Sequence, residues 1–321
     1  MKIKAIFNRD GGTFRTTDMA AYGQKVEEVF HAAGHRIEIA AVSGNEMRET
    51  LERTCRRDDL DAILAGGGDG TISAAAGVAW KNRMPLGVVP AGTMNLFART
   101  LKLPLDIWKV PEVLANGVII DGDIGSADGR AFVHQFSMGL HARMVRYRES
   151  FSFRSRAGKI AASTRAAVGV ILNPPDFEIE FDVDGHKESR HVSAVSVSNN
   201  PFGRDTLMYA DDVTAGHLGF YTAPPLSPPG VAKLAFDVMR GKFRDSPLIT
   251  TMSGHALDLH FPKVERKINC VIDGELLPMG RDVALRIHPG ELKLLVGADR
   301  DGAPIHRGES PIHRDGSAIQ K

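Results

Sequence analysis

Apolar and polar positions follow two different rhythms along this chain of 321 residues. In the first third, short apolar runs take turns with stretches whose apolar residues recur every three to four positions. "IKAIFN" (3–8) reads as a strand and "MAAYGQKVEEVFHAAG" (19–34) as an amphipathic helix stopped at Gly34. "RIEIAAV" (36–42) is strand-like, "EMRETLERTCRR" (46–57) helical, and "DAILAG" (61–66) a strand. "TISAAAGVAWK" (71–81) is helical and "PLGVVP" (85–90) a further strand. Strand then helix, repeated, predicts a parallel sheet covered by helices.

After about residue 122 the rhythm shortens. "RAFVHQFSMG", "FEIEFDVDG", "HVSAVSVSN", "LGFYTA", "ALDLHF", "INCVIDGE" and "DVALRIHPG" are short strands separated by Gly, Pro, Asn and Asp. That texture predicts an antiparallel β domain. Two helical stretches interrupt it, "RAGKIAASTRAAVGVIL" (156–172) and "GVAKLAFDVMRGKF" (230–243). "ELKLLVG" (291–297) suits either part, and residues 301–321 are polar without periodicity, a flexible tail. The fold expected is α/β: an N-terminal α/β domain over 1–122, which 291–300 can complete, and an antiparallel β-sandwich over 123–290.

Composition narrows this little. Apolar residues make up 43% and charged residues 25%, and the net charge of +1 offers no general attraction for nucleic acid. No run approaches the roughly 18 apolar residues of a membrane-spanning helix. The apolar part of the N-terminus is too short for a signal peptide. Two distant cysteines, Cys55 and Cys270, point to idle thiols in a reducing compartment, so the expected location is cytoplasmic.

The chemistry concentrates where strands end. "AILAGGGDGTISAAAG" (62–77) breaks a buried strand with glycines before a helix. Glycines there let a group approach bare N–H donors, and with the helix N-terminus they attract phosphate. The loop lacks the Gly-Lys-Ser/Thr of a Walker A motif and the Rossmann spacing. Asp69 inside it needs a cation or a transferable proton between itself and any phosphate, which phosphoryl transfer supplies. The competing reading is a tight turn with Asp69 as a helix cap. "PLGVVPAGTMNLFART" (85–100) ends a neighbouring strand the same way and offers Thr93 and Asn95, either to a ligand or as helix caps. In "CVIDGELLP" (270–278), Glu275 is a carboxylate able to take a hydroxyl proton, while Asp273-Gly274 also suits an ordinary hairpin turn.

Together "GGGDGTIS", "PAGTMNLFAR" and "VIDGELL" resemble the diacylglycerol kinase catalytic-domain family, and more closely its soluble bacterial lipid-kinase branch, which is similar to sphingosine kinases. The resemblance spans about residues 1–300. It implies ATP in a cleft between the two domains, with Mg²⁺, and γ-phosphoryl transfer to a lipid hydroxyl. Gly67, Gly68, Asp69, Gly70, Thr71, Ile72 and Ser73 match the main nucleotide loop, and Thr93 a second contact. Asn8, Arg9, Asp10, Gly11 and Gly12 in "FNRDGGT" match a first-strand loop that reaches the nucleotide. Glu275 matches the general base, and Asp69 and Asp123 are the implied metal-side carboxylates. Two departures stand out: Leu96 where the family often has Asp, and Ala215 where an Asp-Gly turn often holds a structural Mg²⁺. An NAD kinase shares the Gly-Gly-Asp-Gly loop, but the only Asn-Glu pair here, Asn45-Glu46, lies upstream of it. A catalytically weak nucleotide or lipid sensor is a further alternative.

The segment 141–165 carries Arg143, Arg146, Arg148, Arg154, Arg156, Lys159 and Arg165 against one acid, Glu149. With Tyr147, Phe151 and Phe153 interleaved, it suits the anionic inner face of a membrane. A solvated connection is the plainer reading. Which lipid would be used, and the oligomeric state, are not encoded legibly.

Overall fold

The computed structural model describes residues 1–150, 169, 171–204, 206–263, 267–299 and 301–305. Four strands open the chain: β1 (Lys2–Asn8), β2 (Arg36–Val42), β3 (Ala62–Gly67) and β4 (Leu86–Pro90). They are parallel, in the order β2-β1-β3-β4. Every residue of β3 and β4 is buried, as expected of strands covered on both faces. Five helices do the covering: α1 (Met19–Ala32), α2 (Gly44–Cys55), α3 (Asp69–Asn82), α4 (Leu96–Thr100) and α5 (Val110–Ala115).

Local chemistry accounts for these boundaries. Asp18 caps α1 by accepting from the N–H groups of Ala20 and Ala21, and Tyr22, Val26 and Phe30 form its buried stripe. Ser43 and Glu46 close a reciprocal capping box on α2. Helix α3 starts at Asp69, two residues earlier than the apolar periodicity implies. The glycine loop therefore contracts to Gly67–Gly68 and its aspartate sits in the first helical turn.

The remaining strands form a sandwich. They are β5 (Val118–Ala127), β6 (Arg130–Phe132), β7 (Gln135–Gly139), β8 (Phe177–Val183), β9 (His186–Val192), β10 (Ala194–Ser198), β11 (Leu218–Ala223), β12 (Thr250–Gly254), β13 (Ala256–His260), β14 (Ile268–Ile272), β15 (Glu275–Met279) and β16 (Asp282–Val296). An antiparallel sheet, β12-β11-β10-β7-β14-β15, faces the strands β8, β13, β5 and β16 of the first sheet. Between them lie Phe132, Phe136, Phe181, Phe220, Leu259 and Leu285, with Phe181 and Phe220 edge-on at 5.0 Å. Helices α6 (Leu140–Ser150) and α7 (Pro228–Met239) belong to this half.

Four stretches that read as simple strands behave differently. "RAFVHQFSMG" breaks into β6 and β7, because the chain turns from one sheet to the other at Val133–His134. "HVSAVSVSN" breaks likewise at Ser193, between β9 and β10. Conversely, "DVALRIHPG" and "ELKLLVG" are one strand, β16, bent by a bulge between His288 and Leu292 where Gly290 has a φ of +68°. Its first half pairs with β13 and its second with β4, while β5 runs antiparallel to both halves. The parallel sheet and one layer of the sandwich are thereby a single ten-stranded sheet. Residues 151–168, 170 and 306–321, which hold most of the first helical insertion and of the tail, lie outside the described residues. The described start of the tail pairs back, Ala298 bridging Pro304.

Candidate active site

In the order β2-β1-β3-β4, successive connections leave β1 in opposite directions. The crevice between the carboxyl ends of β1 and β3 is the topological switch point, where open α/β sheets bind ligands. Asn8 ends β1 there and Gly67 ends β3. Asn8 Nδ2 donates to Thr71 Oγ1 across the crevice at 3.1 Å, and Asn8 Oδ1 accepts from the N–H of Asp10 at 3.1 Å. Asp10 in turn accepts from the N–H of Gly44 at 2.9 Å, at the start of α2.

The glycines are explained by backbone contact. A Cβ on Gly12, whose φ is +47°, would lie 1.7 Å from the Ala91 carbonyl oxygen. One on Gly92 would come within 2.7 Å of Gly68 Cα. Loops 8–12, 67–71 and 91–95 therefore pack main chain against main chain. Gly70 differs: it is exposed and a Cβ there would touch nothing. It leaves open space over the first turn of a fourteen-residue helix, whose N-terminus carries about half a positive charge.

Asp69 ties two of the loops together. Its Oδ1 accepts from the N–H of Leu96 at 2.7 Å and its Oδ2 from that of Asn95 at 3.0 Å, so it caps α4 rather than its own helix. Asn95 is left-handed, with φ of +50°, and its amide both accepts from and donates to the backbone of Gly92. Thr93 is exposed at the loop tip, Arg9 is exposed beside Glu46, and Ile72 is in the core. Gly11 is half-buried against Asn8.

The residue that sequence reasoning treated as a turn, Asp273, is the joint between the two halves. It is buried, and its carboxylate accepts from the N–H groups of Val133, His134 and Gln135 at 2.9–3.0 Å and from Ser73 Oγ at 2.6 Å. Burial pushes its pKa up, and the four donors pull the other way. These bonds also explain why the chain turns between β6 and β7. No local signal reveals them, since the three N–H groups lie some 140 positions upstream. Two residues on, Glu275 points outward and pairs with Arg130 at 2.8 Å. It lines a polar cleft of about 650 Å³ together with Gly70 and Ser73 of α3, Arg48 of α2 and Arg56 just after it.

Asp123 is placed elsewhere. Its carboxylate accepts from the N–H groups of Gly216 (2.6 Å) and Gly290 (3.0 Å) and from Asn200 Nδ2 (2.6 Å). Asn199 Nδ2 donates to its carbonyl. The buried amide oxygens of Asn199 and Asn200 have no hydrogen-bond partner among the described residues. A carboxylate ringed by donors in this way joins β5, the β16 bulge and the 199–216 segment. A cation at Asp123, the metal role expected from the sequence, would have to compete with these three donors. Asp212 is engaged with Thr214. His134, against Phe202, has its pKa pushed down to about 3, by burial first and by His141 second, and reads as a packed neutral ring.

Beyond Asp273 lies an apolar cavity of about 410 Å³, between sheet, α6 and α7, walled by residues such as Met138, Val195, Leu234 and Phe243. Gln135 and Ser137 form its polar end, with Ser196 Oγ donating to Gln135 Oε1 and Ser137 bonded to His141. Since the Gln135 N–H also binds Asp273, the cavity abuts the joint. Of the basic segment 141–165, Arg143 and Arg146 are on α6, Arg143 bonding to the Asn173 carbonyl; residues 151–165 lie outside the described residues.

Residues 2–127 match the family profile described as diacylglycerol kinase catalytic domain. The chain is 28% identical to the diacylglycerol kinase of Bacillus subtilis (strain 168) over 258 residues, which is 78% of this chain and 83% of that protein. It is 36% identical to the diacylglycerol kinase of Staphylococcus aureus (strain JH9) over 166 residues, covering about half of each, at 50% and 51%. A crystal structure of a diacylglycerol kinase from Bacillus anthracis str. Sterne superposes with a TM-score of 0.67 at 17% identity, over 92% of this chain and 97% of that one. At that identity the likeness establishes the fold.

Proposed function

We propose that this chain, whose residues 2–127 match the diacylglycerol kinase catalytic domain, is a lipid kinase of that family and transfers the γ-phosphoryl group of ATP to the hydroxyl of a lipid such as diacylglycerol. The observation that carries this reading is a continuous path. The open first turn of α3, at Gly70 and Ser73, shares a cleft with Glu275, and Ser73 joins through Asp273 to the wall of an apolar cavity. Phosphate chemistry thus meets a pocket suited to a greasy body. In this reading residues 1–122 with 291–300 hold the nucleotide and 123–290 hold the lipid.

Roles follow from placement. Loops 8–12, 67–71 and 91–95, with Thr93 and Asn95 in the third, bind and orient the phosphates through N–H groups at the crevice. The lipid oxygen bonds to the γ-phosphorus as the bond to ADP breaks, and its proton passes to the Glu275 carboxylate. Arg130 holds that carboxylate at the cleft wall. For Mg²⁺ the donor set at Asp69 is adequate: each oxygen accepts one N–H and keeps a lone pair, and a cation carried by nucleotide phosphates needs only one or two protein carboxylates. When bound, the ion would neutralise charge on the phosphates. Among the described residues no cluster of three His, Cys, Asp or Glu side chains offers another site, and no helix is long and apolar enough to cross a membrane. Substrate would be met at a membrane surface, with Arg143 and Arg146 on the approaching side.

The test is incubation with γ-labelled ATP, Mg²⁺ and mixed lipid micelles, beside Asp69→Ala. Label in the organic phase, lost in the variant, is expected. Clear ATP binding with no lipid label would overturn the proposal, and label appearing in NAD would replace it with the NAD kinase reading.

A further inference from the structure

Helix α7 is apolar on two adjoining faces. Val231, Leu234 and Val238 line the 410 Å³ cavity from within. Ala232, Ala235, Phe236 and Met239 are exposed, and at 100° per residue they share one arc of the helix. Phe236 is 51% exposed and Met239 70%. Ala235 and Met239 also line the cavity, so its wall continues without interruption into the outer surface. Met144, exposed on α6, lines the same cavity and extends the patch.

Cations fringe this arc. Lys233, Arg240 and Lys242 are all exposed, and the Arg240 guanidinium lies 5.4 Å over the Phe236 ring. The one acid on the helix, Asp237, is engaged by Ser246 Oγ at 2.6 Å. An apolar arc bordered by Lys and Arg matches the headgroup layer of an anionic bilayer.

We propose that the outer face of α7 docks onto an anionic membrane, with Phe236 and Met239 in the acyl boundary and Lys233, Arg240 and Lys242 on the headgroups. Acyl chains then enter the cavity along Met239 without crossing water; this last step rests on the lipid-kinase reading, the docking does not.

The test is co-sedimentation of the full chain with vesicles of phosphatidylcholine, alone or with one third phosphatidylglycerol. The protein is expected to partition onto the anionic vesicles, less so in high salt. Arg240→Glu is expected to lower partitioning roughly tenfold and Phe236→Ser/Arg240→Glu further, with an unchanged thermal melt. Lys233→Glu/Lys242→Glu is an independent second variant. Equal partitioning of variants and parent, or a parent that ignores both vesicles, overturns the proposal. So does a dimer split by Phe236→Ser without vesicle binding, which would make this face a self-interface. Phosphorylation in detergent micelles separates the two readings. Variants that lose vesicle binding but keep micelle activity support both. A parent that binds anionic vesicles but phosphorylates no lipid supports docking and overturns the kinase.

Discussion

The sharpest test of the joint is Asp273→Ala. Removing the carboxylate deprives four donors of their acceptor. Ser73 is half-buried and its hydroxyl can turn to water, and the bond from the His134 N–H is only partly buried. Val133 and Gln135 are buried, so their N–H groups are left unpaired at about 1–3 kcal/mol each. Losing a buried, desolvated carboxylate returns part of that. A net loss of about 3 kcal/mol is expected, or roughly 4–5 °C in Tm at about 2.1 cal/mol/K of unfolding entropy per residue for a chain of 321 residues. Asp273→Asn keeps one oxygen for two of the N–H groups but turns an amide donor toward a third. Its expected loss is about half as large. Circular dichroism melts measure both. Nucleotide affinity and lipid phosphorylation should both fall, because Asp273 holds Ser73 at the start of α3 and Ser73 is no longer tied to the cavity wall. A Tm for Asp273→Ala within about 2 °C of the parent would refute the reasoning, because it would mean that the buried donors are satisfied without the carboxylate.

Three further outcomes are expected. Glu275→Gln should lower kcat by about 10²–10⁴ with nucleotide affinity intact, as measured by steady-state phosphorylation and calorimetry; equal kcat would remove Glu275 as the base. Gly12→Ala places a Cβ against the Ala91 carbonyl at a left-handed φ, so a stability loss of about 2–3 kcal/mol and weakened ATP binding should appear in denaturant melts and titrations. Glu38 has its pKa pulled from 4.5 to about 2, by Arg57 first and Lys4 second. Its contribution is therefore present above pH 4.5 and lost as pH falls toward 2. The pair is substantially exposed, so the effect is small, but the gap in urea midpoint between Glu38→Gln and the parent should close across that window.

The strand-helix alternation of the first third was legible because both periods are local, and so was the glycine pattern, because bare backbone leaves a composition signal. What glycine could not disclose was its target. Gly12 and Gly92 are required by Ala91 and Gly68, residues on other loops, and the open space belongs to Gly70. Asp69 illustrates the same limit. In the sequence it is an acid within a phosphate loop or a cap on the following helix; in the structure it caps a different helix, 26 and 27 positions on. Leu96 then takes on a meaning that its side chain hides. It stands where relatives of this family often carry Asp, yet its contribution is the N–H that holds Asp69, a bond available to any residue except proline. The substitution therefore removes a carboxylate from the crevice without loosening the loop. Ala215 pairs with it. Beside it, the N–H of Gly216 binds Asp123 directly. At both positions backbone N–H groups hold a carboxylate in place, so the loop geometry here is a property of the main chain.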